Sequence, residues 1–129
     1  MRSLKDPVLF TNLLFFVNGW LWFIANQHVV GFLLYCSAFS SCVYHLTKES
    51  KGKALFFDRI FAHLALYTSV YVSFPFLDVY DYINLFNILA IGLYVKKKGL
   101  ESNYDFWHSL WHICVFIGQA YLVWRVSSY

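Results

Sequence analysis

Residues 29–46 read VVGFLLYCSAFSSCVYHL, eighteen positions with no Asp, Glu, Lys or Arg, bounded by Asn26-Gln27-His28 on one side and the polar stretch 47–53 on the other. A helix of this length rises ~1.5 Å per residue and approaches the ~20 residues needed to cross ~30 Å of hydrocarbon. The run ends in Ser41 and His45, one helical turn apart on one face. Four comparable runs lie at 8–25, 54–74, 76–95 and 106–126, each 18 to 21 residues long. Backbone groups in hydrocarbon find partners only within a helix or a closed barrel, so runs of this length predict helices. The expectation is an all-α membrane protein: a single transmembrane domain, 1–129, forming a bundle of about five transmembrane helices.

Composition agrees. The 129 residues are 60% hydrophobic and 22% aromatic, with 13% charged, about half the charge of a soluble domain. A soluble domain this short would lack the polar residues to cover its surface. The first run is too long for the apolar core of a signal peptide and lacks a small-residue cleavage site after it, so it is read as a span. Cys36, Cys42 and Cys114 lie inside apolar runs without C-x-x-C spacing and are read as packed thiols.

The net charge of +3 carries no nucleic-acid reading, but its distribution sets an orientation. Five spans put Arg2, Lys5, Lys48, Lys51, Lys53, Lys96, Lys97 and Lys98 on one side and Arg125 on the other, while Arg59 lies inside the third run. The basic side is cytoplasmic by the positive-inside rule. Joining the third and fourth runs through Pro75 would carry Lys96–Lys98 across the membrane and destroy the asymmetry. The protein is therefore expected to be integral and multi-pass, N-terminus inside. Asp78 and Asp81, at the outer end of the fourth run, are read as solvated interfacial carboxylates. Asn84 and Asn87 are expected to hydrogen-bond to neighbouring helices.

Ionisable residues inside spans need individual explanations. His108-Ser109-Leu110-Trp111-His112 sets two imidazoles four apart on one helix face. The second span ends, and the third and fifth begin, on the cytoplasmic side. That topology gathers Ser41, His45, Asp58, His108 and His112 at one end of the bundle, with Ser41 and His112 each ~6 Å deeper than the histidine one turn away. Three histidines from two helices suit one zinc ion and leave a fourth tetrahedral position open. Iron, nickel and copper accept the same residue types. Asp58 is read as a further ligand, a counter-ion for a loop lysine, or the general base that takes a proton from water. Ser41 either bonds its own helix or donates to a carbonyl oxygen during reaction. His63, ~140° around the helix from Asp58, and His28, at the opposite end of the bundle, are read as packing or interfacial residues.

The S-x-x-x-H of Ser41 to His45, the following Asp58, and the H-S-L-W-H of the last span together resemble the signature of the CREST superfamily. That superfamily includes alkaline ceramidases, progestin and adipoQ receptors, GPI-remodelling lipases and myomaker-like proteins. The resemblance implies a zinc site made by the serine, the aspartate and three histidines, hydrolysing lipid amides or esters. It covers the second, third and fifth spans. The serine-preceded W-H pair is similar to the myomaker-like branch, whereas the acidic N-terminal pattern with which alkaline ceramidases bind a sphingoid head group is missing. Family members have seven spans with three between the aspartate and the histidine pair, and here one run separates them. The chain thus reads as a reduced version of the seven-helix fold, in which an acyl chain lies partly in the bilayer or copies associate as a homo-oligomer to replace the missing helices. The implied function is a zinc-dependent hydrolase of a membrane lipid. The alternatives are a non-enzymatic membrane-remodelling or receptor-like protein with structural zinc, and a haem-binding electron carrier using His45 and a fifth-span histidine.

Overall fold

The first reversal of the chain is set by Asn26, which holds the left-handed conformation at φ 60°. The main-chain N–H groups of Asn26 and Gln27 donate to the carbonyls of Phe23 (3.0 Å) and Trp22 (2.9 Å). This pair of bonds closes a helix with its last carbonyls satisfied, and asparagine tolerates the required conformation better than other non-glycine residues. The computed structural model describes residues 6–47 and 52–129. Its helices are α1 (Pro7–Asn12), α2 (Leu14–Ile24), α3 (His28–Leu46), α4 (Lys53–Ser73), α5 (Val79–Glu101) and α6 (Tyr104–Ser127). Leu13 joins α1 to α2 with right-handed helical angles, so the two form one slightly interrupted rod and the described chain makes five rods.

The division at Pro75 holds. Helix α4 ends at Ser73, a single 3-10 turn covers Phe74–Phe76, and Leu77 and Asp78 are extended. Asp78 then caps α5: its carboxylate accepts from the N–H groups of Tyr80 and Asp81, while Asp81 accepts from the N–H of Asp78. This reciprocal box satisfies otherwise orphaned donors and starts a new helix. The stretch 96–105, which separates the fourth and fifth apolar runs, is mostly helical rather than a loop. Lys96–Lys98 lie within α5, and the link to α6 is Ser102 and Asn103, whose side chain accepts from the N–H of Phe106 at 3.2 Å. Lysines suit a helix C-terminus, where the carbonyl ends carry partial negative charge.

Helix α6 lies centrally, against α1, α2, α4 and α5, while α3 packs on α1, α2 and α4. A buried polar chain crosses the middle of the bundle. The Trp22 indole donates to Gln119 Oε1 at 3.0 Å, and Gln119 Nε2 donates to the Ser69 hydroxyl at 2.9 Å. Buried polar groups need such partners, and these bonds tie α2, α6 and α4 together. Large apolar side chains point outward on every rod, among them Phe10, Trp20, Phe32, Phe39, Tyr71, Phe86 and Trp124. Two rods, Pro7–Ile24 and His28–Leu46, are long and apolar enough to cross a membrane.

Candidate metal centre

His45 stands in the last turn of α3, 1% exposed, and His108 and His112 stand one turn apart near the start of α6. Because α3 ends where α6 begins, the three imidazoles meet at one end of the bundle. Each can offer one ring nitrogen, and these nitrogens all lie within 4.8 Å of one another. The ring centroids are 4.9 Å apart for His45 and His108, 5.6 Å for His45 and His112, and 4.7 Å for His108 and His112, with the planes steeply inclined. Tetrahedral ligation at ~2.0–2.1 Å puts ligand nitrogens ~3.3 Å apart. The observed cluster therefore reaches that spacing with small ring movements, and it can hold a metal ion.

Neighbouring rings fix the imidazoles from behind. Tyr104 stacks on His108 at 4.7 Å between centroids, Phe15 meets His112 edge-on at 5.2 Å, and Tyr44 lies 5.1 Å from His45. Trp111 faces α5, where the Lys96 ammonium sits 5.2 Å from its ring centroid.

Ser41 is buried on α3, one turn before His45. The half-buried Asp58, in the second turn of α4, has Ser41, His45, Arg59 and Lys96 as its polar neighbours. Asp58 is not part of the three-histidine group of ligand atoms. The structure thus brings all five expected residues to one end, as a histidine trio with Ser41 and Asp58 nearby. His63 is exposed on α4, with Nδ1 2.6 Å from the Arg59 carbonyl. His28 opens α3 at the far end, against Phe23. Lys48 and Lys51, expected in the adjoining loop, and Arg2 and Lys5 lie outside the described residues.

No family model, curated protein or solved structure matches this chain.

The contribution of α1 has no counterpart in the sequence reading. Val8 and Asn12 of α1, with Phe15 at the start of α2, form a buried face at i, i+4 and i+7 that packs beside His112 and Cys42. Thr11 Oγ1 lies 3.0 Å from His112 Nδ1 across 101 residues of sequence, a pairing for which the sequence carries no spacing signal. A second network was also missed, at the opposite end. Asp81, expected to be solvated, is 4% exposed: Arg125 Nε donates to it at 2.8 Å and the Tyr121 hydroxyl at 2.5 Å. Arg125 also donates to the Phe76 carbonyl at 3.2 Å and pairs with Asp78 at 3.4 Å. A carboxylate at a helix start is usually wet, but the last turns of α6 bring a guanidinium over this one, and the pair replaces its water. Asn84 meets its expectation by donating to Tyr121 at 3.1 Å.

Proposed function

We propose that this protein is a zinc-dependent hydrolase of a membrane lipid, cleaving an amide or ester bond at the cytoplasmic end of a five-span bundle. The observation that carries this reading is the convergence of one ring nitrogen from each of three histidines within 4.8 Å, with Asp58 and Ser41 nearby. Three nitrogen donors without thiolate suit zinc and leave a ligand position open, the composition of catalytic rather than closed structural sites. The resemblance of Ser41, His45, Asp58, His108 and His112 to the CREST signature points to the same chemistry. The bilayer setting is supported by the outward-facing aromatic and aliphatic side chains and by the two rods of spanning length.

When bound, zinc polarises a carbonyl and lowers the pKa of water toward ~7. Asp58 takes the proton from water as the water oxygen bonds to the acyl carbon. The C–N or C–O bond then breaks, and Asp58 returns the proton to the departing amine or alcohol. Ser41 holds the Asp58 carboxylate in place beforehand. Once Asp58 is protonated, the serine hydroxyl is released to donate to the developing negative oxygen of the lipid. An apolar groove of about 240 Å³ between α3 and α4, lined by Phe39, Val43, Ala54, Phe57 and Phe61, offers a bed for the acyl chain. Ala54 and Phe61 share the α4 face of Asp58 at i−4 and i+3, so the groove runs beside the carboxylate.

The test compares wild type with Asp58→Asn in one detergent, measuring zinc content, melting temperature and hydrolysis of ceramides and glycerophospholipids. The amide keeps the size of the carboxylate but cannot take a proton. Metal and melting are expected to stay, while turnover falls ~10²–10⁴-fold. Undiminished hydrolysis in the variant rejects Asp58 as the base. A wild type inactive on every lipid favours structural zinc in a membrane-remodelling protein instead.

A further inference from the structure

We infer that Thr11 is a positioning residue for His112, fixing the imidazole tautomer so that Nε2 is the nitrogen presented to the metal. The inference rests on the metal reading above and assigns α1, a helix outside the resemblance, a part in the site.

The hydroxyl of Thr11 carries one proton. Two carbonyls of its own helix compete for it, Pro7 at 2.9 Å and Val8 at 3.2 Å, and a carbonyl can only accept. With that proton committed to the helix, the oxygen turns a lone pair toward His112 Nδ1 at 3.0 Å. Nδ1 must then be the donor. In a neutral imidazole the other nitrogen, Nε2, keeps its lone pair, which is the form a metal requires. Phe15, four residues beyond Thr11, closes on the ring edge-to-face and restricts its rotation. Metal-bound histidines commonly donate their second N–H to such a partner, and losing that partner typically costs 10–100-fold in metal affinity.

Thr11→Val keeps the branched shape and removes the hydroxyl, while Thr11→Ser keeps the hydroxyl. Full-length wild type and both variants are to be compared by zinc competition against a chelator, by melting of the metal-free protein, and by ¹⁵N-histidine NMR of the metal-free protein. The expected results are zinc affinity 10–100-fold weaker in Thr11→Val, near wild type in Thr11→Ser, metal-free melting unchanged in both, and His112 protonated at Nδ1 in wild type. Wild-type zinc affinity in Thr11→Val overturns the proposal, as does protonation of wild-type His112 at Nε2. If Thr11→Val fails to fold, the wild-type tautomer and the Thr11→Ser affinity decide. A wild type that binds no metal defeats the metal reading, and the NMR tautomer still decides whether Thr11 fixes the ring.

Discussion

Arg125 and Asp81 show what a single buried charge requires. The guanidinium meets the carboxylate at 2.8 Å, both side chains are largely withdrawn from the surface, and Tyr121 takes the second carboxylate oxygen. Removing one member of such a pair leaves its partner buried and uncompensated, which is more damaging than removing both. Arg125→Met is therefore expected to lower the melting temperature more than Arg125→Met combined with Asp81→Asn. Equal melting of the two variants would show that Asp81 is not left as a costly uncompensated charge when Arg125 is removed. The same contrast explains what was legible at the level of residues. His108 and His112 are four apart, a spacing that any helix converts into proximity. Thr11 and His112, like Asp81 and Arg125, meet only because separate rods pack side by side, and nothing local in the sequence marks them. Asp58 was legible as a site residue, but its separation from the ligand group required the helix packing to be known.

The close crossing of α2 and α3 depends on two glycines. A methyl group at Gly31 would stand 2.8 Å from the Gly19 carbonyl oxygen and 2.6 Å from the Phe23 ring. At Gly19 it would meet the Gly31 carbonyl at 3.1 Å and the Tyr35 ring at 2.9 Å. An aromatic ring can turn aside, but a helix carbonyl cannot, so the rods must separate. Gly31→Ala is expected to destabilise by about 1–3 kcal/mol, the usual cost of overpacking, read as a lower melting temperature. Unchanged melting would mean that the crossing is looser than the structure shows. Small residues at helix crossings are common in membrane proteins, where backbone approach replaces hydrophobic burial as the source of attraction. The breaks at Asn26-Gln27-His28 and at Pro75 were legible as local interruptions of apolar runs, but the left-handed Asn26 and the cap made by Asp78 with Asp81 were not read from the sequence. The end of α5 was misjudged because three lysines suggested a loop, although lysine is also a good helix former.

Taken whole, the bundle buries apolar and polar groups together and leaves many large apolar side chains on its outside. The five rods alternate in direction, which returns α3, α5 and the starts of α4 and α6 to the end that holds the histidines. If that end is cytoplasmic, single cysteines at Thr47 and Lys98, in a protein lacking Cys36, Cys42 and Cys114, are both expected to react with an impermeant reagent from the cytoplasmic side. Labelling from opposite sides would break the five-span arrangement. The central claim is more basic, that the rods assemble to make one metal site from His45 of α3 and the His108–His112 pair of α6. Elemental analysis of full-length protein, purified without chelator or added metal, tests it most directly. One zinc per chain is expected for wild type and none for His45→Ala, His108→Ala or His112→Ala, because two remaining nitrogens leave the shell incomplete. A wild type with no stoichiometric transition metal, or a histidine variant that keeps its full complement, would contradict it.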